Sequence, residues 1–205
     1  MDQIGQEHFA VLVSDNTNAC ICRCDLTVEE VLTLLGLPDC VHHISSFVKD
    51  VVKLPYFKEV MRIVCGTITH FHKVHISIHE FQLARKEVQI GHSLESIGKT
   101  RFDTAIISAC SVQRCIPAIQ KVIEYDIADF SEFCDYFEPL ILPSGMSSAQ
   151  AFEFQTILSR LVNVGLLAVR ALTCLKANEA NANDFFLFWH AIATCVIETI
   201  TSPTA

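Results

Sequence analysis

Asp15 is the residue of this sequence with the clearest position for chemistry. It follows an apolar run of strand-forming residues, residues 9–13, and is flanked by Ser14 and Asn16. In open α/β sheets, ligands are held at the carboxyl ends of buried strands. The pattern therefore predicts a strand over residues 9–13 with a carboxylate at its end. Ser-Asp-Asn-Thr is also good turn chemistry, so a turn former or helix cap is the alternative role.

Cys40 and His43 form a Cys-x-x-His motif at the start of a predicted helix. Pro38 and Asp39 precede the motif, and the helix is expected to continue to about residue 53. Cysteine and histidine at this spacing can form half of a zinc site, but a second pair at suitable spacing is missing from the sequence. The sequence therefore favours a packed Cys40 thiol and a His43 that hydrogen-bonds the neighbouring backbone or a carboxylate.

Arg101 is a candidate for contact with a nucleic-acid phosphate. It lies near the start of a helix predicted to run to about residue 115. A guanidinium matches the geometry of phosphate oxygens. Pairing with a nearby carboxylate is the alternative, and it is the favoured one for an arginine at a helix start.

Two further groups have metal-ligating residue types. His72, His75 and His79 lie on or beside the apolar stripe of a helix predicted over residues 55–86. Their spacing is compatible with one metal ion, but no acidic residue at helical spacing completes the set, and we expect them to fill a helix interface. A second group, Cys20, Cys22 and Cys24, alternates along the chain, whereas zinc-binding pairs are separated by two to four residues. A metal site is therefore disfavoured in both groups.

The elements around these residues predict a mainly α protein with a minimal β part. Besides the strand at residues 9–13, a second short strand is expected near Leu35. Thr27 and Glu30 form a capping-box pattern, which predicts a helix that starts at Thr27 and ends at Gly36.

The second half of the chain is predicted to be helical. Residues 89–99 are expected to form a loop, and Pro117 is expected to begin a new helix. The last two helices are predicted over residues 148–176 and 184–200, both apolar on most sides and therefore buried on most sides. The acidic stretch before them, with Glu132 and Asp135, is expected to be a solvated face.

Five segments in a fixed order resemble the catalytic region of hAT-superfamily DNA transposases, most closely the transposase-like proteins of fungi. The segments are the following: VSDN at residues 13–16, the Cys40-x-x-His43 motif, KLPYFKEV at 53–60, SIGKTRFDT at 96–104 and SVQRCIPAI at 111–119. The resemblance covers nearly the whole chain. It implies a ribonuclease H-like core that is interrupted by a large helical insertion. Residues 1–54 would be a partial core segment and residues 55–205 the helical insertion, with a further boundary near residues 139–148.

The resemblance also implies a chemistry. Family members cut DNA with three carboxylates that bind Mg²⁺ or Mn²⁺, and Asp15 matches the second of them. Cys40 and His43 match the motif that shapes the family's catalytic centre. Matches to the other two carboxylates are absent, and the family's Thr-Arg-Trp is replaced by Thr100-Arg101-Phe102. The expectation is a truncated transposase-derived protein that binds divalent metal poorly and is catalytically inactive alone. The alternative is a helical protein-interaction module derived from a transposase.

Composition limits the partners. The chain of 205 residues has a net charge of −8, which opposes a general electrostatic grip on DNA. Its 51% hydrophobic content and mean hydropathy of +0.37 exceed what a small core needs. We therefore expect self-association or a protein partner, through late-helix faces that include Phe185, Phe188 and Trp189.

Composition and the first residues also predict a compartment. The ten cysteines are expected to be buried thiols rather than a disulfide framework. No secretion signal is recognisable, and the longest apolar run, residues 161–175, falls short of the ~20 residues that cross a membrane. The sequence thus favours a nuclear or cytoplasmic protein without a membrane segment.

Overall fold

The protein is mainly helical with one small parallel sheet, as the sequence predicts. Its structure is a computed structural model that describes residues 11–14, 17–32, 34–98, 103–125, 130–140, 148–176 and 181–201. The two strands in these residues are β1 (Val11–Ser14) and β2 (Leu35–Pro38). The helices are α1 (Asn18–Glu30), α2 (Cys40–Lys53), α3 (Pro55–Lys73), α4 (His75–Glu87), α5 (Asp103–Glu124), α6 (Ala149–Leu175) and α7 (Ala182–Thr201), and a 3₁₀ helix spans Cys134–Phe137.

The N-terminal segment is a β–α–β unit. Strand β1 pairs in parallel with β2, with Val11 opposite Leu35 and Ser14 opposite Pro38. Helix α1 makes the crossover, as a parallel connection requires. A Cβ on Gly36 would lie 3.2 Å from the Cys24 sulfur, so the glycine permits the close approach of α1 to β2. The predicted short strand near Leu35 is confirmed.

Helix α1 corrects the predicted capping box. It begins at Asn18 with Thr17 as its N-cap, whose Oγ1 accepts from the Cys20 amide at 3.4 Å. Thr27 lies inside the helix, and its hydroxyl donates to the Arg23 carbonyl at 2.7 Å. A threonine inside a helix commonly makes this bond to the preceding turn. The prediction failed because Thr17 is an equally good cap ten residues earlier in the chain.

The predicted helix over residues 55–86 is divided into α3 and α4 at Val74, whose backbone is extended. The division allows Phe71 and Phe81 to stack with ring centroids 4.7 Å apart. In a straight helix these two residues would be separated by about 15 Å along the axis. A side-chain hydrogen bond between His70 and Ser77, 2.8 Å long, also crosses the division. Aromatic packing across a bend therefore overrides the continuous helical pattern.

Helix α5 is continuous through Pro117, which corrects the predicted restart. Proline inside a helix removes one backbone hydrogen bond and costs about 3 kcal/mol. The neighbouring residues offset this cost, because Val112, Cys115, Ala118 and Ile119 are all fully buried. Burial of each large aliphatic side chain stabilises by about 1.5–3 kcal/mol.

Helix α6 is the centre of the helical body, and it packs against α2, α3, α5, α7 and the 3₁₀ helix. Its N-cap is Ser148, so the predicted helix over residues 148–176 is confirmed. At Gly165 a Cβ would lie 2.5 Å from the Ile106 Cδ1. The glycine therefore allows α5 and α6 to approach closely at the main helix interface.

Helix α7 confirms the predicted element over residues 184–200 but not its burial. It packs on one side of α6, and Ile192 is its buried hydrophobic residue. The partly buried Phe185, Phe188 and Val196 complete the inner face. The prediction that Phe185 and Phe188 lie on an exposed face is therefore wrong, whereas Trp189 is 37% exposed. The outer face is exposed, so burial on most sides is correct for α6 and wrong for α7.

Loop and acidic predictions hold where the structure describes them. Residues 91–98 form no helix or strand. Glu132 and Asp135 are exposed, as expected of a solvated face. Residues 141–147 of the predicted boundary lie outside the described residues.

Candidate functional site

The carboxyl ends of β1 and β2 lie side by side. The Asp39 amide donates to the Ser14 carbonyl at 2.9 Å, immediately after β2 and at the last residue of β1. In parallel sheets this edge is the usual place for ligands. Asp15 directly follows β1 in the chain, and Cys40 follows Asp39, the first residue after β2. Asp15 itself lies outside the described residues, and its predicted role as a metal ligand stays a prediction.

Asp39 is the N-cap of α2 at this edge. Its Oδ1 accepts from the amides of Val41 at 2.9 Å and His42 at 3.3 Å. These bonds satisfy amides that a helix start leaves without a partner. A carboxylate at this position also interacts favourably with the helix dipole. The sequence predicted that a helix follows Pro38-Asp39, but it did not assign the capping role to Asp39.

Cys40 and His43 lie in the first turn of α2, where residues three apart share a face. Both are half-buried. Burial raises the pKa of the Cys40 thiol, and the negative charge of Asp39 raises it further. The thiol therefore stays protonated at neutral pH, whereas the thiolate is the metal-binding form. This agrees with the predicted packed thiol.

The donors of the described residues do not fit a divalent-metal centre. Magnesium takes oxygen ligands, with carboxylates from more than one chain position. Among the described residues no group of three His, Cys, Asp or Glu side chains could hold a metal ion. At the strand-end edge, the described donors are a capping carboxylate, a protonated thiol and a histidine. We therefore derive no reaction step through a metal.

Arg101 lies outside the described residues, and its predicted phosphate contact stays a prediction. The next helix, α5, begins two residues later, where the Asp103 carboxylate accepts from the Thr104 amide at 3.0 Å. Thr104 Oγ1 in turn accepts from the Gly98 amide at 2.9 Å. Gly98, the last described residue before this helix, is thus fixed to the first turn of α5.

The three histidines do not form an interface or a cluster. His72, His75 and His79 are all exposed, which corrects the expected helix interface. The division at Val74 places His72 on α3 and the other two on α4. On α3, His70 is half-buried and packs against Phe71 and Phe130 with ring centroids 5.1 and 5.0 Å away.

The cysteines are mostly not buried. Cys24 and Cys115 are buried, while Cys22, Cys65 and Cys174 are exposed. Cys20, Cys22 and Cys24 lie in α1, where alternate residues do not share one face of the helix. Burial raises the pKa of Cys115, as expected for an inert packed thiol. The prediction of buried thiols is correct for two of the ten cysteines.

A polar cluster that the sequence did not indicate connects α3 with the 3₁₀ region. Glu59 accepts from Arg62 at 2.9 Å and from the Tyr136 hydroxyl at 3.2 Å. Arg62 also donates to Glu132 at 3.1 Å. The bonds from Arg62 and Tyr136 lower the pKa of Glu59. All four side chains are solvent-accessible, and this exposed network stabilises the fold modestly.

Among the described residues, two helices are long and apolar enough to cross a membrane by length and composition. In α6, 50% of the apolar stretch is buried inside the protein, whereas in α7 only 6% of it is buried. Core helices of soluble proteins pass the same test, so α6 needs no membrane to explain it. The exposed apolar face of α7 is the feature that remains to be explained.

The structure defines a helical protein with a small β–α–β unit at one end. No family model matches the chain, no curated protein is significantly similar to it, and no solved structure matches its fold. The resemblance to hAT transposases therefore depends on the sequence motifs alone.

Proposed function

We propose that this chain is a transposase-derived protein with a ribonuclease H-like segment, related to DNA cut-and-paste transposition and inactive as a nuclease by itself. The observation that carries the proposal is the edge where β1 and β2 end. The Ser14–Asp39 hydrogen bond brings together the chain positions that precede Asp15 and Cys40. These are the positions that match the family's second carboxylate and its Cys-x-x-His motif.

The exposure of the small sheet also supports the proposal. Parallel sheets are normally covered on both faces, and two strands alone are not stable in water. Here Val13 on β1 and Leu35 on β2 are 57% and 65% exposed. Such a pair fits a sheet whose faces are covered by a further layer, as in a complete ribonuclease H-like core.

The proposed lack of nuclease activity follows from the net charge of the chain and from its number of metal-binding carboxylates. Two-metal cleavage requires several carboxylates to hold the ions. Asp15 is the single family-matched carboxylate, and the net charge of −8 weakens binding to DNA, which carries dense negative charge. DNA, Mg²⁺ and Mn²⁺ are therefore ligands of the proposed family rather than tight ligands of this chain. The proposed compartment is the nucleus or cytoplasm.

A nicking assay tests the inactivity. Purified protein is incubated with supercoiled plasmid and Mg²⁺ or Mn²⁺, and we expect no nicking above the level of an Asp15→Ala variant. Metal-dependent nicking that is lost in Asp15→Ala and retained in Asp50→Ala, an exposed carboxylate on α2, would contradict the proposal of an inactive chain.

The DNA that flanks the coding sequence tests the ancestry. We expect remnants of an upstream strand that ends in aspartate and of a downstream Ser-Glu-Arg motif. Flanks without either motif would favour the second candidate, a helical interaction module. The exposed outer face of α7 is the observation that favours this second candidate, because contiguous exposed apolar surface marks interaction sites.

A further inference from the structure

The outer face of α7 has the pattern of a helix that pairs with another helix. Its central row consists of residues with alternating spacings of four and three, and all are exposed: Phe186, His190, Ala193, Ile197 and Ile200. This spacing produces the apolar seam of paired helices. The rings of Phe186 and His190 are in contact, with centroids 4.5 Å apart, so the row begins as a continuous surface.

The inner face of α7 is already occupied. Phe185 and Phe188 pack against the core, and the Cys195 thiol donates to the Asn163 carbonyl of α6 at 3.3 Å. The row therefore cannot turn toward α6 without loss of these contacts. Any partner of the outer face must come from outside the described fold.

The size of the face matches a dimer interface. Phe186, Leu187, Ile197 and Ile200 are between 60% and 76% exposed. At about 150–250 Å² for each large side chain when fully exposed, these four present roughly 500 Å². Two such faces therefore bury on the order of 1,000 Å² together, which is the size that separates specific interfaces from incidental contacts.

The shape of the row fits a second copy in antiparallel orientation. The small Ala193 lies at its centre and large residues lie at both ends. A twofold axis near Ala193 would place Phe186 of one copy against Ile200 of the other, and His190 against Ile197. Antiparallel helices also align their dipoles favourably, and the arrangement separates the two copies of Glu198, which a parallel pair would bring together.

The charges of α7 disfavour a lipid surface. Helices that lie on membranes carry Lys and Arg beside their apolar face. Helix α7 contains no Lys or Arg, and its charged residues are Asp184 and Glu198. The net charge of −8 would also be repelled by anionic lipids.

We infer that the chain forms an antiparallel homodimer through the outer face of α7. The contact gives the alternative interaction function a partner, namely a second copy of this chain. It does not depend on the nuclease ancestry, so neither outcome of the nicking test can overturn it.

Sedimentation of the whole chain tests the inference. We expect the wild type to be dimeric at micromolar concentration. The Ile197→Glu variant should have a dissociation constant about 100-fold higher, because a twofold dimer contains the substitution in both copies. The matched control is Ile76→Glu on α4, an equal change at a residue of similar exposure, 65% against 60%. It should dimerise like the wild type. Ile200→Glu, at an even more exposed position, repeats the test independently.

Circular dichroism separates lost pairing from lost folding. The variants should keep the helix signal of the wild type, because the substituted side chains are exposed. The inference would be overturned if the wild type were still monomeric at a protein concentration about 100 times higher than micromolar. It would also be overturned if the Ile197→Glu variant dimerised like the wild type. Binding of a monomeric wild type to phosphatidylcholine vesicles, lost in Ile197→Glu, would also overturn it in favour of a lipid surface.

Cross-linking tests the orientation. In a Phe186→Cys, Ile200→Cys double variant, mild oxidation of the antiparallel dimer should join residue 186 to residue 200 of the other copy. The two positions in one chain are about 21 Å apart along the helix, too far for an internal disulfide. Mass spectrometry should therefore find the 186–200 peptide pair. Exclusive 186–186 and 200–200 pairs would indicate parallel helices and overturn the proposed register.

Discussion

The β–α–β unit and the helical body differ in how well each buries its own apolar residues. Among the described side chains of β1, α1 and β2, Cys24 is the buried hydrophobic one, and Val31 and Leu34 are buried in the connection that follows α1. In the helical body, residues of α2 to α6 and the 3₁₀ helix form one continuous core. The body has the packing of a self-sufficient fold. The unit leaves apolar side chains of both strands exposed, among them Val13 and Leu35.

This difference separates the two proposed functions. The unit contains the positions on which the proposed transposase ancestry depends, and it buries few of its own apolar side chains. The helical body has its own stability and offers α7 for contact. A change in the body should therefore have large effects on global stability, and an equivalent change in the sheet should have small ones.

The largest expected effect comes from Phe137 in the body. It is fully buried, and its ring lies 5.2 Å from Phe154 and 5.9 Å from Phe130. Phe137→Ala should lower the free energy of unfolding by about 3–5 kcal/mol, because it removes buried surface and leaves a cavity. Urea denaturation monitored by circular dichroism measures the loss.

Two controls make this comparison strict. Phe152→Ala on α6 removes the same side chain at a residue that is 46% exposed, and Val13→Ala removes an exposed valine from β1. Each should change the free energy of unfolding by less than about 1 kcal/mol. If Val13→Ala destabilises as much as Phe137→Ala, the sheet is buried by a partner and the contrast between the two regions is wrong.

A smaller effect is expected where α5 and α6 are closest. Gly165→Ala adds a methyl group within 2.5 Å of the Ile106 side chain. Alanine favours the helix by up to about 1 kcal/mol, but overpacking of a core costs about 1–3 kcal/mol. Because Ile106 is fully buried and cannot move aside freely, we expect net destabilisation, measured by thermal and urea unfolding.

A second substitution identifies the contact responsible. Ile106→Val removes the Cδ1 atom that is nearest to the added methyl group. The double variant Gly165→Ala, Ile106→Val should therefore be less destabilised than the sum of the two single variants. Gly91→Ala, where a Cβ meets no atom within 4 Å, should leave stability nearly unchanged. Additive effects in the double variant would contradict the packing explanation.

The predictions from sequence were correct where one signal dominated. The mainly helical class, the strand that ends at Ser14 and the helix capped by Ser148 follow from the apolar pattern and the capping residues. Errors arose where tertiary packing competed with local signals. The stacking of Phe71 on Phe81 accompanies a break in a segment whose local pattern is helical. Burial of the residues around Pro117 keeps α5 continuous, although proline by itself favours a helix end.

The strands beside the candidate site were predictable from the sequence, but the contacts at their ends were not. Parallel-sheet logic placed Asp15 after a strand, and the structure brings the ends of β1 and β2 together, while Asp15 itself lies outside the described residues. The roles of Asp39 and of the Glu59–Arg62–Tyr136 cluster depend on which residues approach each other in space, and no local pattern encodes that approach. The burial of α7 was misjudged for a related reason, because hydrophobicity indicates that a face needs a partner but not that the same chain provides it.

The smallest expected effect is at Asp39, where the two regions meet. Its carboxylate caps α2, whereas its backbone amide joins β2 to β1 through Ser14. Asp39→Ala removes the cap and should cost about 0.5–2 kcal/mol, while Asp39→Asn, an equally good cap, should cost less. The backbone bond to Ser14 is chemically possible in both variants. Amide hydrogen exchange should therefore show reduced protection at Val41 and His42 in Asp39→Ala, with the amide of residue 39 still protected.

Asp50→Ala, an exposed carboxylate further along α2, is the matched control and should change neither stability nor exchange. Loss of protection at residue 39 as well would show that the sheet pairing depends on the start of α2, and the β–α–β unit would then have to be regarded as an extension of the helical body rather than as a separate, weakly packed region.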